Sequence, residues 1–210
     1  MDGGRVRVHP RRLFPPTLPV LIGIVLVATV LVGTVLVGVR SGRPGASSHA
    51  PSGVAAPAIN DLTCDPADHG DARITVHLTI MIKGRVRDIP PTIGITGALV
   101  AFPSTGPTVT RAACYYWIHT GRDDGVIHVD APPAARRSYS LGDFFDVWHQ
   151  PLGTQAVGPD HGTVRSYLNN RPYPGNPRTI PLTDHAAIQL NVGQDTPPEP
   201  YTFTTETQTG

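Results

Sequence analysis

A run of 22 uncharged residues, Leu18 to Val39 (LPVLIGIVLVATVLVGTVLVGV), constrains this chain more than any other part of it. As a helix it would be about 33 Å long, close to the hydrocarbon thickness of a bilayer. It lacks the polar face that a helix on a soluble domain normally shows. Arg5, Arg7, Arg11 and Arg12 precede the run against one acid, Asp2, while Arg40 and Arg43 follow it. The positive-inside bias therefore predicts a cytoplasmic N-terminus and an exported C-terminal domain at the plasma membrane.

A cleaved signal peptide is the main rival to an anchor. Its apolar core would be shorter, about 7–15 residues, with a small-x-small site close behind. Here Arg40 intervenes, and the first such site, Ser48-His49-Ala50, would leave Pro51 at the start of the product. Arg11-Arg12-Leu13-Phe14 echoes a twin-arginine signal without completing its motif. The organisation expected is a basic cytoplasmic tail over residues 1–16, a transmembrane helix over 17–40 and a Pro/Gly/Ser/Ala-rich flexible linker over 41–60. A β-rich extracytoplasmic domain over 61–193 and a disordered polar tail over 194–210 complete it.

Residues 61–210 carry 15 acidic and 11 basic side chains, a balance of −4 with histidine neutral. That charge and the predicted address argue against a nucleic-acid partner. The partners expected are the lipid bilayer, through residues 18–39, and an unidentified ligand or protein of the cell envelope. Both cysteines, Cys64 and Cys114, fall on the exported side, where an even pair reads as a disulfide. Such a cross-link stabilises by about 4 kcal/mol on the chain-entropy view. A reactive Cys114/His119 pair is the alternative, but a spacing of five on one strand turns the two side chains to opposite faces.

Residues 74–82 (ITVHLTIMI) alternate between apolar and polar, which predicts a half-buried strand. Lys83-Gly84 is a turn, Arg85 to Ile89 returns, and residues 97–110 read as a Gly/Pro/Thr-rich loop. Tyr115 to His119 and Val126 to Asp130 predict a hairpin around TGRDDG. With His119 opposite Val126, Trp117 would face His128 and Tyr115 would face Asp130, all on one side. Ser138 to His149 predicts a helix: Ser140 caps it with Asp143 three residues on, and Leu141, Phe144, Phe145 and Trp148 form an apolar stripe. Strands follow at Val164–Leu168 and Ala187–Val192, with a turn at Asn169-Asn170, a Pro/Gly connector over 172–177 and a further strand-like segment at Ile180–Leu182. The fold class expected is α+β, mainly β, with a single short docked helix after the transmembrane one.

The segments VHLTIMIKG, CYYWIHTGRDDGVIHVD, YSLGDFFDVWHQPL and RTIPLTDHAAIQLNVG, in that order, resemble a family of bacterial single-pass membrane-anchored proteins of unknown function. The similarity covers most of residues 62–193 and implies an exported C-terminal domain. His77, His119 and His128 match the family pattern. Further histidines that members carry near the first two are replaced here by Arg73, Thr75 and Gly121.

Three chemistries compete for these residues. Zinc or copper could be held by His119 and His128 across the hairpin, with His77 from a neighbouring strand. A hydrolase could use Asp143 and Asp146 on the helix, but G-x-S-x-G, H-E-x-x-H and C-x-x-C are all absent. A non-catalytic binding or accessory module needs least: an open surface built from Tyr115, Trp117 and Asp130. The expectation is the binding module, with a histidine-based metal-binding envelope protein as the alternative and a hydrolytic enzyme third.

Overall fold

The computed structural model describes residues 56–66, 74–132, 134–135 and 137–204. The predicted anchor, Leu18 to Val39, lies outside them; among the described residues no helix is long and apolar enough to cross a membrane. The described part is mainly β with one α-helix, Leu141–Val147.

A seven-stranded sheet organises it. Its centre is the strand Ile74–Ile82, whose clean alternation makes one face apolar and the other polar. On one side it pairs in parallel with Ala187–Val192, which in turn pairs antiparallel with Val164–Leu168. On the other side it pairs antiparallel with Val126–Val129 and, further along, with Arg85–Arg87. Ile118–His119 forms one edge, and Arg171–Tyr173 the other.

One tight turn sets the hairpin at the edge of the sheet. Asn169 and Asn170 both have positive φ, 49° and 63°, so the chain reverses there as in the two-residue turns that match strand twist. The reversal makes Arg171–Tyr173 a strand, where the sequence suggested only a connector. Residues 97–110, expected as a loop, hold another hairpin: Leu99–Ala101 pairs with Thr108–Arg111, and Phe102 near its tip is 80 % exposed. The segment Ile180–Leu182 contributes a single bridge, Pro181 to Ser140, after a 3-10 turn at Pro177–Thr179.

The apolar face carries Val76, Leu78, Ile80, Ile118, Ile127, Val129, Ile188, Leu190 and Val192 into one core with Leu141, Phe144 and Phe145 of the helix. The helix begins as its sequence predicts. Ser140 Oγ accepts from the Asp143 amide, and the Asp143 carboxylate accepts from the Ser140 amide, a reciprocal cap. Cys64 and Cys114 are disulfide-bonded, fastening the strand Cys64–Asp65 to Cys114–Tyr116 within a small three-stranded sheet.

Candidate functional site

The opposite, polar face of the large sheet gathers most of the candidate side chains. Direct cross-strand partners share a face, so the register places Thr75, His77 and Thr79 beside Val126 and His128 on one flank. On the other flank lie Ala187, Gln189 and Asn191, with Tyr167 and Arg165 beyond them. His119 joins through its pairing with His128.

That pairing corrects the expected hairpin register by two residues. His119 stands opposite His128, not Val126, and the Asp130 amide donates to the Trp117 carbonyl at 2.7 Å. The connecting loop is drawn elsewhere. Gly121 accepts from the Val109 amide and Gly125 from the Leu78 amide, so the turn cannot close tightly on His119. A shift of two preserves parity, and the histidines keep their common face.

At this end the rings of His119 and His128 are 5.7 Å apart, with His119 Nε2 3.6 Å from Asp130 Oδ2. His119 Nδ1 lies 3.0 Å from the Tyr116 carbonyl, a contact in which Nδ1 carries the proton and the carbonyl accepts it. Nε2 is left on the side of the ring that faces the Asp130 carboxylate. His77 is not brought to this pair: it sits one step along, opposite Val126, with its ring engaged elsewhere. Among the described residues no group of three His, Cys, Asp or Glu side chains could hold a metal ion.

The surface expected from Tyr115, Trp117 and Asp130 is not open. Asp130 is 2 % exposed, and Trp117 is half-buried with its indole N–H donating to Asp65 Oδ2 at 2.8 Å. Tyr115 is half-buried against the His119 ring. The chain bends at Trp117, leaving Tyr115 in the small sheet and His119 in the large one, so the aromatic run is split between two layers.

The other half of the face is overlain by residues 194–204, the described part of the tail expected to be disordered. Asn191, 1 % exposed, donates from Nδ2 to the Thr196 carbonyl at 2.6 Å and to Asp195 Oδ1 at 3.0 Å. Gln189 Nε2 donates to the same carbonyl at 3.0 Å and to Asn191 Oδ1 at 2.9 Å. Tyr167 donates its hydroxyl proton to Asp195 at 2.9 Å. The amide of Asn191 and then the Tyr167 hydroxyl hold the Asp195 carboxyl below its usual range, and the same hydrogen bond raises the Tyr167 phenol.

Further along, the His77 ring lies flat on Tyr201, with centroids 3.5 Å apart. Tyr201 meets Phe203 edge-on, and Phe203 meets His185. Burial lowers the His77 pKa to about 4, against an opposing hydrogen bond to the Asp124 backbone.

No family model, curated protein or solved structure matches this chain. Gln189, Asn191, Tyr167 and Tyr201 escape a reading of the sequence for catalytic motifs. Their signal is the alternation in AIQLNV, which sets two amides on the face opposite Ile188 and Leu190.

Proposed function

We propose that this chain is a membrane-anchored, extracytoplasmic binding or accessory module without catalytic activity, akin to the family its motifs resemble. Residues 18–39 hold it in the bilayer with the N-terminus cytoplasmic, and the β-rich domain works in the envelope. One observation carries the reading. The polar sheet face receives a polypeptide segment through side-chain amides, a hydroxyl and a ring, the contacts a recognition surface uses.

A photoreactive residue placed at Thr79 on this face, and one at exposed Thr154 in the turn between Gly153 and Ala156, test the reading in intact cells. Discrete adducts from Thr79 and none from Thr154 are expected. Absence of face-specific adducts would overturn the module.

A second reading, zinc or copper binding, starts from the facing pair His119 and His128. The Tyr116 carbonyl orients His119 as a second-shell acceptor orients a metal-bound imidazole. A site there needs a further ligand from outside the described residues or a rearrangement of those present. Metal content of the purified protein, with the double change His119→Ala and His128→Ala alongside, decides it. Stoichiometric metal lost in the variant supports this reading, and no metal in either protein removes it.

A further inference from the structure

We propose that the polar sheet face is a receptor for an extended, proline-containing peptide, and that residues 195–203 (DTPPEPYTF) occupy it in cis as a displaceable stand-in. The proposal rests on the binding-module reading and names its partner class.

The segment's course fits an extended peptide. Asn191 is level with Met81 in the sheet, and His77 lies four residues back along the central strand, about 13 Å away. Thr196 is bonded at the first point and Tyr201 stacked at the second, five residues apart. Five residues span about 17 Å fully extended and only about 7.5 Å as a helix. Pro197, Pro198 and Pro200 carry no amide hydrogen, so the segment is poorly suited to join the sheet as a strand. It is read by side chains instead: Gln189, Asn191, Tyr167 and His77.

The receptor side is built for a peptide backbone. Gln189 and Asn191 both donate to one carbonyl, that of Thr196, which any residue could present. Tyr167 and Asn191 together take the carboxylate before it, and His77 takes the aromatic ring after the prolines. Buried amides on a sheet weaken it unless they are bonded, so these two are explained by what they hold.

The resident segment is an imperfect occupant. Thr196 Oγ1 is buried and makes no hydrogen bond among the described residues. A small groove also remains between His77, Thr79, Tyr167 and Gln189 and the tail's Pro198 and Glu199. A peptide with valine in place of that threonine keeps the shape and drops the stranded hydroxyl, which predicts binding about tenfold tighter.

The test titrates a fluorescent peptide, QDTPPEPYTFT (residues 194–204), against the full-length chain in nanodiscs. The parent is compared with a double variant, Asp195→Ala and Tyr201→Ala, whose own tail competes less. The double variant is expected to bind at least tenfold tighter than the parent, because a tethered competitor acts at high effective concentration. The valine peptide should bind about tenfold tighter again. Adding Tyr167→Phe, which leaves the core untouched, should weaken binding several-fold; adding Asn191→Ala should weaken it further. No binding to the double variant, or binding indifferent to Tyr167→Phe, overturns the proposal. If peptide binding fails while the photo-adducts from Thr79 persist, the partner class is wrong and the module stands. If both fail, both fall.

Discussion

The imidazole of His77 lies on the phenol ring of Tyr201 with centroids 3.5 Å apart and planes 6° from parallel. The contact ties the central strand to a segment more than a hundred residues later in the chain. It also buries a titratable ring, which gives the fold a pH dependence with a definite sign.

The native state holds His77 neutral down to about pH 4, whereas the unfolded chain protonates it near pH 6.5. Between those values the unfolded state binds more protons, so stability falls as pH falls from about 6.5 through 4 and is unaffected above that window. The loss is on the order of 3 kcal/mol when complete. His77→Phe keeps an aromatic ring under Tyr201 and removes the titration. Urea melts from pH 4 to 7.5 should show a slope in the parent that the variant lacks; an unchanged slope assigns the effect to another group.

The Cys64–Cys114 cross-link spans 50 residues. Reducing it, or replacing both cysteines with serine, should destabilise the domain by about 4 kcal/mol. The denaturation midpoint with and without reductant measures this directly. A midpoint insensitive to reductant would mean that the bond adds nothing to stability.

The helix Leu141–Val147 offers two graded tests. Ser140→Ala removes the acceptor for the Asp143 amide and should cost about 1 kcal/mol. Phe144→Ala or Phe145→Ala empties fully buried volume and should cost about 3–5 kcal/mol. Equal effects from the cap and the core would contradict the helix's placement.

Gly125 has φ of 77°, and a methyl group there would meet the Leu78 carbonyl at 2.5 Å. Gly125→Ala should therefore destabilise by more than the roughly 1 kcal/mol of backbone strain alone. The same change at Gly175, where φ is 114° and open space surrounds the Cβ position, carries the strain without the collision. Thermal melts of the two variants separate these causes.

What the sequence reveals here follows from how local each signal is. The strand Ile74–Ile82, the cap at Ser140 and the stripe of Leu141, Phe144 and Phe145 are each encoded within a few residues, and all are present. The disulfide follows from an even cysteine pair. The hairpin at His119 was legible in parity but not in register, because Gly121 and Gly125 hydrogen-bond to strands remote from the turn. The partial burial of the aromatic run 115–117 has no local signal, since it depends on the bend at Trp117 and on Asp65, far away in the chain. The tail's seat on Asn191 and His77 has no local signature: proline-rich composition suggests disorder, and only the face it meets gives it partners.

The most direct test of the receptor face is a nuclear Overhauser measurement between the His77 and Tyr201 rings. It would use the full-length chain in nanodiscs at pH 7, with histidine and tyrosine selectively labelled. A strong cross-peak that Tyr201→Ala abolishes is the predicted result. No cross-peak, with Tyr201 resonances at their unstructured positions, would contradict the account.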